Sequence, residues 1–266
     1  MKIKNAIIIH GPGRSGTTLL SSILSLHKDL SWVSNYQNRF PSYLWVSYFN
    51  RLLSISAFEK FSRDRKKYPK PSEPYSFWNY YVPEFNDANI ARISEKSAKN
   101  AISAIKYIQK VNSKDRFVTK ITGLSRFQSI EAIFEDPTII WIDRDPKSVI
   151  LSYYRKKWRY KNKLEIFNTI PRAKLLEEYT ALYRKFQNDK KELERFNLKT
   201  FRYEDLVEDK NKFFLEICDF LKLEYSREFK ELVDSWDIKQ GTNKFNKAML
   251  SEDELNYLTK LIDELE

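Results

Sequence analysis

Residues 11 to 18 read GPGRSGTT, and three of the five glycines in the chain, Gly11, Gly13 and Gly16, lie within these eight positions. Glycine is concentrated in this way where backbone must approach another group closely. The apolar run AIIIH (6 to 10) precedes the turn and the pattern LLSSIL follows it, so the turn joins a strand to a helix. The N–H groups of Arg14, Ser15, Gly16, Thr17 and Thr18 then converge on an anion at the positive end of the helix dipole. Thr17 and Thr18 add hydroxyls, and Arg14 adds a permanent charge with a bidentate fork. The spacing from Gly11 to Gly16 keeps the frame of the triphosphate-binding loop G-x-x-x-x-G-K-[ST], but Thr17 stands where the lysine belongs. That lysine bridges the outer phosphates of a nucleoside triphosphate, so its loss favours a ligand with one terminal phosphate-like group over ATP.

A second anion site is written in TIIWIDRDPKSVILSYYRKKW, residues 138 to 158. Asp143 ends an apolar strand, where triphosphate enzymes keep a magnesium ligand, but that metal needs the triphosphate the first loop argues against. Pro146 fits the first turn of a helix running from Lys147 to Lys157. Arg144 at the strand end and Ser152 two turns into the helix converge on an anion, at a place separate from the first.

GPGRSGTT, followed by a strand ending in RDP and a helix containing SYY, resembles the sulfotransferase family that uses 3′-phosphoadenosine 5′-phosphosulfate (PAPS). The resemblance implies that the first loop (Gly13 to Thr18) holds the 5′-phosphosulfate and that Arg144 and Ser152 hold the 3′-phosphate. The product is then adenosine 3′,5′-bisphosphate (PAP), with no metal required. FRYEDLVEDKNKFFLEICDFLKL (201 to 223) is similar to the family segment that brings a tyrosine near the adenine, here Tyr203. KQGTNKFNKAMLSEDE (239 to 254) is similar to the segment that closes over the 3′-phosphate, which makes Lys239, Gly241 and Lys244 candidates.

The same resemblance implies catalytic roles. Sulfuryl transfer needs cations aimed at the non-bridging and leaving oxygens, and a base for the acceptor hydroxyl. Arg14 fits the first role, and Lys120, ending RFVTK, matches a strand-end lysine of related tyrosylprotein sulfotransferases. Relatives with RSGTT carry a catalytic glutamate on the strand after the first helix, but the matching stretch here holds Ser34, Asn35 and Tyr36. Two glutamates of the following insertion are substitutes, Glu73 in KPSEPYSFW and Glu84 in YVPEFND. Glu73 is the preferred base, its pKa expected to be raised among Pro, Tyr, Phe and Trp. His10 ends the first strand and His27 the first helix, where an imidazole satisfies carbonyls; both are read as structural.

The elements that must position these groups follow from hydrophobic period. AIIIH, RFVTK (116 to 120), TIIWID (138 to 143) and LKTFRY (198 to 203) are short strands alternating with amphipathic helices. This predicts an α/β fold of three layers, P-loop-type, with a central parallel sheet flanked by helices and its sites at the carboxyl ends of the strands. Residues 36 to 112 carry no strand signal and read as a helical, aromatic-rich insertion after the first helix, packed for the most part, with residues that shape the acceptor pocket among them. Ile90, Ile93, Ala101, Ile105 and Ile108 recur there near helical spacing. No repeat or linker divides the chain, so residues 1–266 are expected to form a single domain.

Composition narrows the partners. A net charge of +11 favours an anionic ligand or surface, and 42% hydrophobic residues exclude a disordered chain. One cysteine, Cys218 on an apolar helical face, excludes an internal disulfide and reads as a buried thiol. The start of the sequence lacks a cleavage-site pattern and no stretch is apolar enough to span a bilayer, so a cytoplasmic location is expected. The acceptor is left as a hydroxyl or amine of a small molecule, glycan or lipid, with no nucleic acid expected and peripheral lipid contact among the partners. Two rivals stand beside this reading: a nucleotide-dependent kinase with a degenerate loop, and a polyanion-binding protein without catalysis.

Overall fold

The computed structural model describes residues 1–54, 68–86, 93–124, 126–238 and 250–265. Ile90 and the candidates Lys239, Gly241 and Lys244 lie outside the described residues.

Five strands form one parallel sheet in the order β3-β4-β2-β6-β7. They are β2 (Ile7–His10), β3 (Leu30–Ser31), β4 (Arg116–Lys120), β6 (Thr138–Asp143) and β7 (Asn197–Arg202). A two-stranded parallel ladder joins β1 (Ile3–Lys4) to β5 (Phe134–Glu135). All four residues of β2 are buried, as a central strand covered on both faces requires. Alternation along it feeds two cores. Ile8 packs with Trp141, Ile105 and Tyr179 on one side of the sheet. Ile7 and Ile9 pack with Leu20, Ile23, Phe214 and Ile217 on the other. The four longer strands match the expected α/β pattern, with one shift: the last covers 197 to 202, and Tyr203 opens a helix instead of ending the strand.

Helix α1 (Thr17–Leu24) follows the glycine turn directly. Then come α2 (Asn35–Arg39), a 3-10 helix (Leu44–Ser54), α3 (Tyr75–Tyr81), a second 3-10 turn (Pro83–Asn86) and α4 (Glu95–Asn112). These make up the helical insertion. Its aromatics divide: Phe77, Trp78 and Phe85 are buried, whereas Phe40, Tyr43, Trp45 and Tyr48 are exposed. Past β4 lie α5 (Phe127–Ile133), α6 (Pro146–Arg155), α7 (Leu164–Thr169), α8 (Arg172–Leu193), α9 (Tyr203–Glu208), α10 (Lys210–Leu221), α11 (Arg227–Asp234) and α12 (Glu252–Asp263).

Helix α6 starts as its sequence dictates, with Pro146 in the first turn and the Asp145 carboxylate accepting from Ser148 N–H at 2.7 Å. It ends at Arg155, short of the expected Lys157, which adopts a left-handed conformation that ends the helical path. Among the described residues no helix is long and apolar enough to cross a membrane.

Because the strands are parallel, their carboxyl ends share one edge. The register pairs Ile9 with Lys120, His10 with Trp141 and Asp143 with Arg202, so the loop after β2, Lys120 and the Arg144 corner are neighbours.

Candidate functional site

The loop between β2 and α1 is shaped by two glycines that no other residue replaces. Gly11 and Gly16 have φ of 144° and 96°, and a Cβ on them would collide with the Ile142 carbonyl and the Tyr203 ring respectively. Gly16 is the N-cap of α1 and no side chain caps that helix. The first-turn N–H groups of Thr17 and Thr18 are therefore left for a ligand, at the positive end of the helix. The Ser15 hydroxyl instead donates to the Pro12 carbonyl and ties the turn shut.

The Arg14 side chain crosses the gap that the sequence left between two anion sites. Its Nε donates to Ser152 Oγ at 3.1 Å, and its carbonyl accepts from Arg144 Nη1 at 3.1 Å. The two places expected to bind anions are therefore linked: Arg14 hydrogen-bonds Ser152 through its side chain and Arg144 through its carbonyl, which ties the loop to the Arg144 corner. Arg144 lies over the Tyr203 ring, 4.5 Å from its centroid, and that ring fills the space Gly16 leaves open. Arg144 Nε is buried without a hydrogen-bond partner among the described residues. That unsatisfied donor and the uncapped first turn of α1 fit a ligand with anionic groups at both places.

On the other side of the loop Lys120 and Glu73 meet. Lys120 Nζ donates to Thr18 Oγ1 at 2.7 Å and pairs with Glu73 Oε1, which also accepts from the Thr18 hydroxyl. Lys120 is buried, its side chain 6% exposed, and burial pulls its pKa below the ordinary lysine value while the Glu73 charge opposes that pull. Burial alone would raise Glu73. The positive charge of Lys120, its hydrogen bond and that of Thr18, and Arg14 beyond them outweigh it, and the net shift is downward. The expected raised pKa is therefore corrected. The aromatic neighbours of Glu73 in sequence do not set its ionisation; the cation from β4 does.

The polar stretch that replaced the expected glutamate holds the segment that carries Glu73. Ser34 forms an antiparallel bridge with Pro71. Asn35 N–H donates to the Lys70 carbonyl at 3.0 Å, Asn35 Nδ2 to the Tyr68 carbonyl at 2.8 Å, and Lys70 N–H returns a bond to Asn35 Oδ1 at 3.1 Å. Two residues past Pro71 the chain delivers Glu73 to Lys120. Glu84, the other substitute, is used elsewhere: Ser97 Oγ donates to its carboxylate at 2.8 Å, at the start of α4.

A sequence profile of the sulfotransferase family matches residues 6–227, most of the chain and every described element of this site. The chain belongs to the sulfotransferase family. No curated protein matches it at a significant level. Among solved structures, sulfotransferase STF9 from Mycobacterium avium shares 15% identity over 99% of this chain and 77% of its own, with a TM-score of 0.63. The sulfotransferase domain from the curacin biosynthetic pathway shares 18% over 99% and 91%, with a TM-score of 0.55. Sulfotransferase STF1 from Mycobacterium tuberculosis shares 13% over 98% and 77%, with a TM-score of 0.61. At these identities the likeness is one of fold.

In this sulfotransferase, three residues that the sequence did not single out stand around the Lys120–Glu73 pair. Tyr75 Oη and Thr122 Oγ1 share a hydrogen bond of 2.7 Å. Arg126 is buried with its guanidinium 4.5 Å from the Phe85 ring centroid. Position was the signal available for two of them: Tyr75 is two residues past Glu73 and Thr122 two past Lys120. Asp143, in the place of a magnesium ligand, accepts from Arg144 N–H at 3.0 Å and Tyr183 Oη at 3.3 Å, and so orients the Arg144 corner. Cys218 is buried and its thiol is pushed up to about 12 by burial, as a structural thiol should be.

Both histidines serve the fold. His27 bonds the Glu224 carbonyl through Nε2 at 2.9 Å, which pins the segment after α1 to that after α10 instead of closing its own helix end. His10 accepts from Gly11 N–H at 2.8 Å and stacks on Trp141. Burial first, then the charges of Arg126 and Lys120, lower its pKa from 6.5 to about 3. The unfolded chain thus takes up a proton below 6.5 that the folded sulfotransferase refuses until about 3, so His10 makes stability fall as pH drops through that window. The full effect is on the order of 5 kcal/mol. His27, also lowered by burial, acts in the same direction. We expect His10→Asn, which keeps an acceptor near Gly11, to flatten the decline of melting temperature between pH 7 and pH 4 measured by calorimetry. An unchanged slope would assign the acid sensitivity elsewhere.

Proposed function

We propose that the chain acts as one catalytic domain that transfers the sulfuryl group of PAPS to the hydroxyl or amine of an acceptor approaching past Tyr75 and Thr122. The observation that carries this reading is the junction at Thr18, where a loop open to an anion, a buried lysine and a carboxylate meet on one hydroxyl. The first-turn N–H groups of α1 with Thr17 would hold the 5′ end of the donor, and Arg144 and Ser152 its 3′-phosphate, with Tyr203 beside the adenine. When bound, PAPS supplies an activated sulfuryl group on a phosphate leaving group.

The protein's own part is electrostatic and acid–base. Lys120 and Arg14 set positive charge where the transferred and leaving oxygens gain negative charge. Glu73, held ionised by Lys120, would accept the proton of the acceptor hydroxyl or amine as that acceptor atom takes the sulfuryl group and PAP leaves. A carboxylate with a lowered pKa is a weak base in the free enzyme. Its strength rises once Lys120 turns from Glu73 toward the donor.

Thermal denaturation tests the donor. PAP is expected to raise the melting temperature, and to do so equally with a chelator present, whereas ATP has little effect. Stabilisation by ATP and magnesium alone would overturn the proposal in favour of the kinase reading. The variant Arg144→Gln is expected to weaken PAP about 10- to 100-fold in titration calorimetry, since one charge-assisted contact is lost.

A further inference from the structure

Arg126 is a charge that the fold buries without supplying a counter-ion. The residue is 8% exposed, and its Nε is buried with no hydrogen-bond partner. Its side chain forms no ion pair or hydrogen bond among the described residues. Tyr75 and Asp189 of α8 act on it through their charge alone, and the Tyr75 hydroxyl shares its bond with Thr122 instead. Burial lowers the Arg126 pKa below the ordinary arginine value, so the folded chain holds this charge at a cost to stability. An unpaired buried donor in a native fold calls for a reason.

The guanidinium is nevertheless held in place. Phe85 covers it, ring centroid 4.5 Å from Cζ, and Phe85 is itself stacked on Trp78 at 5.5 Å. Beside its Nε–Nη2 edge lies Gly123, in left-handed backbone at φ 118°. A Cβ on residue 123 would stand 3.1 Å from Nε and 3.3 Å from Nη2. Glycine thus keeps open a cradle at the two donors that together grip a planar anion. Fixed stacking, an open fork and no internal partner are the properties of a guanidinium reserved for a ligand.

Position selects the ligand. Arg126 follows Lys120 by six residues and Thr122 by four on the same loop after β4. Its charge reaches Tyr75, which the Glu73 charge reaches as well. It takes no part in the contacts that link Arg14, Arg144 and Ser152. We infer that Arg126 is a specificity residue that receives a carboxylate carried by the acceptor, which makes the acceptor a small molecule bearing both a hydroxyl or amine and a carboxylate. The inference rests on the proposed sulfuryl transfer and names the chemical class of its acceptor. A neutral acceptor leaves the guanidinium desolvated and unpaired, and the site discriminates by that difference.

The test uses the full chain and three phenolic acids of increasing reach, para-hydroxybenzoate, para-hydroxyphenylacetate and para-hydroxyphenylpropionate, each beside its own amide. Binding is titrated by calorimetry with and without PAP, and transfer from PAPS is followed as kcat/KM. At least one acid is expected to bind about ten- to a hundredfold more tightly than its amide, with the same preference in kcat/KM. Arg126→Met is expected to bring that ratio close to one while its melting temperature holds or rises, because a buried unpaired charge is removed. Arg126→Lys, which keeps the charge without the fork, is expected to fall between them. A purely structural arginine gives the reverse, a lower melting temperature with the ratio intact. No preference for any acid over its amide, a preference that survives in Arg126→Met, or a melting temperature that falls in Arg126→Met would each overturn the inference. An acid preference in calorimetry together with no thermal stabilisation by PAP would overturn the donor reading and leave the role of Arg126 standing.

Discussion

Replacing Lys120 by methionine is expected to lower sulfuryl transfer to a phenolic acceptor by about three orders of magnitude while PAP still stabilises the fold. Methionine keeps the buried stem and removes the charge, so the loss reports electrostatics and not packing. Glu73→Gln is expected to cost about a hundredfold or more, since the amide keeps the contact with Thr18 but takes up no proton. Because the two side chains share one hydrogen-bonded junction, the double variant is expected to be little slower than Lys120→Met alone. The stability of the two variants should differ as well. Losing Glu73 leaves a buried ammonium without its counter-charge, whereas losing Lys120 leaves a carboxylate that is partly exposed to water. Full activity of Glu73→Gln across the pH range would remove this residue from the chemistry and return the search for a base to Tyr75 and its neighbours.

Gly16→Ala is expected to abolish PAP binding and to destabilise the protein by about 2 kcal/mol or more. Two effects add. A left-handed backbone at φ 96° is strained for any residue with a Cβ, and that Cβ would stand inside the Tyr203 ring. Removing the ring separates them: Gly16→Ala/Tyr203→Ala should recover the steric part and leave the backbone strain. Gly13→Ala is the milder comparison, since its Cβ would meet the edge of the Trp158 side chain at 2.9 Å without a left-handed φ. Melting temperature and PAP titration on the three variants check the order. A Gly16→Ala protein that binds PAP as tightly as wild type would show that the loop does not hold the donor.

The glycine loop and the Arg144 corner were legible because their signals are local. A glycine turn, a strand before it and a helix after it lie within nineteen consecutive residues, 6 to 24, and the strand-to-helix corner at Arg144 is equally compact. Apolar runs of four to six residues likewise gave four of the five strands of the main sheet, with only the two-residue β3 too short to leave a pattern. What escaped was set by contacts across long separations. The link between the loop and the Arg144 corner depends on a bond between residues 138 positions apart. The ionisation of Glu73 depends on a lysine 47 positions away, which its sequence neighbours do not foretell. Thr122 and Tyr75 were missed for the same reason, since a threonine after a strand and a tyrosine in an aromatic run acquire meaning only when they meet. In the insertion, aromatic content was visible but its direction was not. Phe77 and Trp78 face in while Trp45 and Tyr48 face out, and composition alone treats them alike.

The bridge between Ser34 and Pro71 gives this molecule an architecture of separable halves. The cation at the active junction belongs to the sheet, whereas its carboxylate partner arrives on a strap fastened at a short polar anchor. Grafting a different strap onto Ser34 and Asn35 would change the partner that Lys120 meets while the strands keep their register. A chain built this way can change the strap while the sheet that carries the lysine stays fixed.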